Sequence, residues 1–177
     1  MHQLLLLRHA HSSHDPPDLA DHARPLSGKG RRAASAMRQA IRELGLQPDV
    51  VLVSSSRRTL ETLDALEPWD ETPLVEPLDA LYMAAPPQMA NVLHAVAETA
   101  RSVMVIGHNP GMHEFALLLL GGKQAVPAAP PLRRIAEGFP AAALAEFALA
   151  GPWRALGAGA AQLVRFLVPR DLPDWVK

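Results

Sequence analysis

The stretch Leu4-Leu5-Leu6-Leu7-Arg8-His9-Ala10 decides how this chain is read. Four consecutive leucines between polar residues predict a strand buried on both faces, and Arg8-His9 ends it abruptly. In an open α/β sheet, ligands bind beyond the carboxyl ends of the strands. The sequence therefore places a permanent cation, Arg8, and an imidazole, His9, where such a fold keeps its chemistry.

Outward from this strand, a polar loop runs from His11 to Pro25, with a turn signal at Asp15-Pro16-Pro17. Ser27 has the position of an N-cap for a helix reaching about residue 44. Its inner face is Ala33, Met37, Ala40, Ile41 and Leu44, and Gly45 is placed to end it. Residues 49–53 predict a second buried strand. It runs into Ser54-Ser55-Ser56, which can cap a helix that carries Arg58 and Thr62 and is closed by Pro68. Leu74-Val75 predicts a short strand, and 86–100 a helix with Met89, Val92, Leu93 and Val96 inward.

Residues 102–106 (SVMVI) predict a third buried strand. Gly107-His108-Asn109-Pro110-Gly111 follows it, before an apolar helix over 112–120. The Gly-, Pro- and Ala-rich stretch 121–140 reads as a loop with room for a short helix, and 143–149 and 162–168 as two closing strands. This alternation predicts an α/β fold with a mainly parallel central sheet, in one domain over 1–177.

Composition narrows the functional classes. The chain has 177 residues, enough for a sizeable core, with 49% hydrophobic and 20% charged residues. A net charge of −1 gives no attraction for nucleic acid or an anionic membrane. There is no cysteine, which excludes disulfides, thiol nucleophiles and thiolate metal sites. No apolar run is long enough to span a bilayer, and Arg8-His9 interrupts the first one too early for a signal peptide. The expectation is a cytoplasmic protein.

Three apolar runs thus end in basic or imidazole groups: Arg8-His9, Arg58 one turn into a helix, and His108. As parallel neighbours these strands would bring the three ends to one sheet edge. Nearby helix N-termini would add backbone donors, giving a cationic pocket suited to phosphate.

The same residues carry a family resemblance. Arg8-His9-Ala10 after an apolar strand resembles the opening of the histidine phosphatase superfamily. Ser54-Ser55-Ser56-Arg57-Arg58-Thr59-Leu60-Glu61-Thr62 resembles its Ser-Pro-x-x-Arg-Ala-x-x-Thr segment, with Ser55 for the proline and Thr59 for the alanine. That spacing selects Arg58, not Arg57. Val105-Ile106-Gly107-His108-Asn109-Pro110 resembles the second-histidine segment. Three further stretches are similar to the phosphohistidine phosphatase branch, the SixA type. They are the loop Asp21-x-x-Arg24-Pro25-Leu26-Ser27-x-x-Gly30, Gly138-Phe139-Pro140, and Val168-Pro169-Arg170-Asp171-Leu172.

The resemblance implies a three-layer α/β/α, phosphoglycerate mutase-like fold. The short segment between Leu66 and Pro86 leaves no space for a large helical insert. It also implies that His9 takes a phosphoryl group through a neutral ring nitrogen and passes it to water. Arg8, Arg58 and His108, with Ser12 as a further donor, would hold the phosphoryl oxygens. No metal or other cofactor is called for, because the cations are built in. Protein phosphohistidine is the favoured substrate, with a phosphorylated protein such as a phosphotransfer domain as partner. Small phosphorylated molecules are the alternative.

For the general acid the sequence offers Asp79, in Glu76-Pro77-Leu78-Asp79, with Asp15 and Asp21 as rivals. A departing imidazole relaxes the need for a strong acid. His2, His14 and His22 read as solvated, His94 as a helix-face residue and His113 as structural. Arg24 and Arg57 read as supporting or surface residues. Trp153, Trp175 and Tyr82 read as packing, with Tyr82 able to border the site.

Two other classes have weaker sequence support. His9-Ala10-His11-Ser12-Ser13-His14 resembles the zinc-binding His-x-His-x-Asp-His motif of the metallo-β-lactamase fold, but Ser13 stands at the Asp position. A non-catalytic phosphate-binding module would have no need of His9.

Overall fold

The structure, a computed structural model, describes residues 1–172; Trp175 lies outside the described residues. In chain order the elements are β1 (His2–Arg8), α1 (Gly28–Glu43), β2 (Val50–Ser54), α2 (Arg57–Leu66), β3 (Leu74–Leu78), α3 (Pro86–His94), β4 (Ser102–Gly107), α4 (Gly111–Leu120), β5 (Leu144–Leu149) and β6 (Ala161–Leu167). Short helical turns occupy the stretch between α4 and β5, including Pro130–Arg133.

The six strands form one mixed sheet in the order β3-β2-β4-β1-β5-β6. β3, β2, β4 and β1 pair in parallel, whereas β5 runs antiparallel to both β1 and β6. Alternation along β1 explains why its leucines are continuous. Leu4 and Leu6 enter the core with Met89 and Leu93 of α3 and Met112 and Phe115 of α4. Leu5 and Leu7 enter the other, with Met37 and Ile41 of α1 and Leu63 and Leu66 of α2. Helices thus cover both faces, giving the three-layer α/β/α architecture, and strands buried on both sides must be apolar throughout.

Ser27 caps α1, accepting from the Gly30 N–H at 3.0 Å. Gly45, with φ +63°, ends the helix in the left-handed region. β3 extends past its predicted end to Leu78 and stays exposed. It is an edge strand paired only with β2, so Pro77, which has no N–H to donate, is tolerated there. No helical insert separates β3 from α3; one short turn, Asp79–Leu81, stands between them.

α3 is shorter than its apolar spacing predicts. It ends at His94, whose Nε2 meets the Leu156 carbonyl at 2.7 Å. Val96 still packs against the core from the irregular segment beyond it, so hydrophobic periodicity outlasts the helix. Trp153 is fully buried, its Nε1 donating to the Ala100 carbonyl at 2.8 Å. His2 departs from its solvated reading. It is half-buried, its ring 5.0 Å from Trp153, with Nδ1 and Nε2 near the Gly151 and Glu98 carbonyls.

Candidate active site

Parallel pairing of β1 with β4, and of β4 with β2, brings the carboxyl ends of these strands together. Arg8, His9 and Arg58 share the wall of one pocket of about 400 Å³. Two buried threonines hold this end. Thr62 donates to the Arg58 carbonyl at 2.7 Å and accepts the Ala10 N–H at 3.0 Å, joining α2 to the loop after β1. Thr59 Oγ1 lies 2.7 Å from the carbonyl oxygens of both Ser54 and Ser56, with its one proton to donate between them.

His9 is 9% exposed, and its Nδ1 lies 2.7 Å from the Ala10 carbonyl. A carbonyl only accepts, so Nδ1 carries the proton and Nε2 the lone pair. Burial pushes the imidazole down to about 4, the Ala10 hydrogen bond opposes this, and the charges of Arg58, Arg8 and Arg24 lower it further. The ring is neutral near pH 7, the form in which an imidazole nitrogen offers a lone pair.

Arg8 donates to the Phe139 carbonyl at 3.0 Å, as does Asn109 Nδ2 at 2.9 Å. The Gly138-Phe139-Pro140 segment thus ties two pocket residues together. Arg8 Nε is buried and has no partner among the described residues. Burial lowers this guanidinium from its ordinary value.

Arg58 is almost fully buried. Nη1 donates to the Asp21 carbonyl at 2.7 Å; Nη2 donates to Asp21 Oδ2 at 3.0 Å and lies 3.3 Å from His108 Nδ1. His108 lies beside His9, ring centroids 5.1 Å apart. Its Nε2 donates to Ser54 Oγ at 2.7 Å. Burial, then the neighbouring His9 and Arg58, pushes His108 down to about 3.

Arg24 is the residue the sequence undervalued. It donates to the Ser13 carbonyl (3.0 Å), Asp21 Oδ1 (3.0 Å), Ser12 Oγ (2.7 Å) and His14 Nε2 (2.9 Å), and so organises the whole loop after His9. Ser12 lines the pocket and keeps its own O–H free to donate. Arg57, by contrast, is exposed and pairs with Glu61 at 2.8 Å.

The carboxylates divide clearly. Asp79, selected as the acid by its place after β3, is exposed on the turn following that strand and does not line the pocket, nor does Asp15. The turn closes by a bond from the Tyr82 N–H to the Asp79 carbonyl, and it is Met83, just beyond, that reaches the pocket wall. Asp21 is in the wall. It accepts from Tyr82 Oη at 2.5 Å as well as from Arg58 and Arg24. The Tyr82 hydrogen bond, together with the two arginines and against some desolvation, holds Asp21 well below the usual carboxylate range. Tyr82, in turn, is raised by Asp21.

Tyr82, read first as a packing residue, instead borders the site. His108 lies edge-on to it at 5.4 Å and His22 at 4.8 Å. His22 and His14 are exposed, yet both belong to this network, His22 through Ser55 at 3.1 Å and His14 through Arg24. His113 is structural, bonded to the Ile135 carbonyl at 2.7 Å. His9, His11 and His14 form no group able to hold a metal ion among the described residues. Instead, His11 Nδ1 is taken by Ser27 and His14 Nε2 by Arg24.

No family model matches the chain. An uncharacterized protein of Mycobacterium tuberculosis is 33% identical over 169 residues, covering 93% of this chain and 100% of that protein. A candidate phosphohistidine phosphatase SixA from Nakamurella multipartitia is 29% identical and superposes with a TM-score of 0.81, over 95% of this chain and 96% of that one. This chain belongs to the histidine phosphatase superfamily.

Within the superfamily it is similar to the SixA branch. A protein histidine phosphatase SixA solved with tungstate shares the fold at a TM-score of 0.76 and 23% identity, over 97% of this chain and 99% of that one. As a histidine phosphatase, the chain is by class a hydrolase of phosphoric groups. No helix among the described residues is long and apolar enough to cross a membrane.

Proposed function

We propose that this histidine phosphatase removes phosphoryl groups from phosphohistidine on a protein partner, through a phosphoenzyme on His9. The observation that carries the reading is the state of the His9 ring. Its Nδ1 proton is committed to the Ala10 carbonyl, burial keeps the ring neutral, and Nε2 is left as the nucleophilic atom beside Arg8 and Arg58.

In the first step Nε2 attacks phosphorus while the bond from phosphorus to the leaving nitrogen breaks. Charge on the phosphoryl oxygens is met by Arg8, Arg58 and Ser12, and His108 acts by holding Arg58 in place. Water then attacks the phosphoenzyme, and the electron pair of the breaking P–N bond returns to Nε2. The Ala10 carbonyl keeps the tautomer ready for the next turnover. The SixA solved with tungstate, an oxyanion of phosphate shape, supports a pocket of this kind.

A phosphorylated protein side chain suits a site with no helical insert after β3 to cover it. Small phosphate esters fit less well, because Asp21, the one carboxylate among the described residues of the pocket wall, is held anionic. The test is acid-labile phosphoenzyme trapping with a phosphohistidine-bearing phosphotransfer domain, in wild type and His9→Ala. Label on His9 that is lost in the variant supports the reading. Undiminished turnover by His9→Ala would end it.

A further inference from the structure

Among the described residues lining the pocket, Asp21 is the one carboxylate, set among Arg8, Arg24 and Arg58. It opens the turn Asp21–Ala23 and is fixed through three side-chain donors, Tyr82 and Arg58 on Oδ2 and Arg24 on Oδ1. Its side chain is nevertheless 49% exposed, and Oδ1 accepts only one of those bonds, so it retains acceptor capacity for a group in the pocket. A carboxylate so fixed has no proton to give to a departing oxygen.

We infer that Asp21 is a specificity-determining residue, selecting phosphoryl groups carried on a ring nitrogen whose second nitrogen bears a proton, over phosphate esters. This rests on the reading of His9 as phosphoryl acceptor. In a phosphoimidazole protonated on its distal nitrogen, His9 Nε2 bonds to phosphorus as the P–N bond breaks, and the electron pair passes to the substrate ring. The imidazole departs neutral, with its proton still on the distal nitrogen, where it donates to Asp21. No further acid is needed. An alkoxide, by contrast, would leave as an anion beside an anion, with no carboxylic acid in the wall to protonate it. Charge-assisted hydrogen bonds of the first kind are among the stronger ones.

The test measures kcat/KM for 1-phosphoimidazole and for p-nitrophenyl phosphate with the full chain, as wild type, Asp21→Asn and Asp21→Glu. In Asp21→Asn the ratio of the two should fall at least about tenfold, the scale of one charged hydrogen bond, and Asp21→Glu should restore part of it. Equal losses on both substrates would mean that Asp21 only steadies Arg58, and would overturn the selection. Should Asp21→Asn fail to fold, the wild type decides with a series of aryl phosphates. A rate that drops steeply as the leaving group becomes more basic supports a pocket without an acid, and a flat series overturns it. Trapping of phosphate on wild-type His9 is scored separately; its absence removes the phosphoenzyme reading itself, and the inference with it.

Discussion

Arg58 Nη2 lies 3.3 Å from His108 Nδ1, and a guanidinium has only donors to offer. The contact therefore fixes the tautomer of His108, whose remaining proton, on Nε2, goes to Ser54 Oγ at 2.7 Å. Both ring nitrogens are committed inside the protein, and His108 is a clamp on Arg58 beside the one made by Asp21. Removing the Ser54 hydroxyl should leave a buried N–H unpaired. Ser54→Ala is expected to lose about 1–3 kcal/mol of stability, read from urea denaturation midpoints. An unmoved midpoint would count against the clamp.

Arg58→Ala should cost about 2–4 kcal/mol of transition-state stabilisation, roughly 30- to 1000-fold in kcat/KM, by analogy with other lost charge-stabilising donors. Arg58→Lys should recover little. One ammonium cannot reproduce a fork that donates to the Asp21 carbonyl and the Asp21 carboxylate at once. Steady-state kinetics on p-nitrophenyl phosphate reads both variants, and near-complete rescue by lysine would contradict the fork.

Neighbouring arginines should behave differently. Arg24 makes four side-chain contacts within the loop after His9, so Arg24→Ala should lower kcat/KM by about tenfold or more through Ser12 and Asp21. Arg57→Ala removes an exposed ion pair with Glu61 and should change stability by less than about 1 kcal/mol, with activity kept. Comparable activity losses in the two variants would show that Arg24 has no special place in the loop.

This contrast also shows what was legible in the sequence. Arg8, His9 and His108 could be placed because each follows an apolar run, and strand ends follow directly from patterning. Arg58 is separable from Arg57 only through the resemblance of residues 54–62 to the family's Ser-Pro-x-x-Arg-Ala-x-x-Thr segment. Asp21 and Arg24 lie in a polar loop with no periodicity. Resemblance to the SixA branch marks both residues but not their roles: the partners of Asp21, Arg58 and Tyr82, are far along the chain, and those of Arg24 are polar groups of the loop itself. Asp79 misled for the converse reason: its distance after β3 looked right, but a short turn advances the chain so that Met83 meets the pocket instead. The overlong α3 has the same origin, since apolar spacing records burial and not the backbone that achieves it.

Gly30 tests how tightly that loop is set. A Cβ there would lie 2.1 Å from the His11 carbonyl oxygen, a backbone atom that cannot swing aside. Gly30→Ala should therefore destabilise by about 1–3 kcal/mol and lower activity, because His11 and Ser12 must shift with the loop. Thermal melting with a parallel assay reads both effects, and a fully active, equally stable variant would mean that the loop yields freely.

Acid stability follows from the two buried imidazoles. Both ionise near 6.5 in an unfolded chain, but in the folded protein His9 lies at about 4 and His108 at about 3. Between those values the unfolded chain binds more protons, so the folded state loses stability as pH falls from about 6.5, and the loss saturates only below about 3. The lowered carboxylates Asp21, Glu61 and Glu98 act in the same direction, but only as pH approaches their unfolded values of 3.8 and 4.5. The span from 6.5 down to 4.5 therefore isolates the histidines, with a combined effect on the order of a few kcal/mol. Urea denaturation across that span should show stability falling toward acid in the wild type. His9→Asn, which has no proton to gain there, should show a shallower slope. A wild-type profile flat from pH 6.5 to 4.5 would mean that the rings are not held neutral, and with it would go the neutral nucleophile on which the proposed chemistry depends.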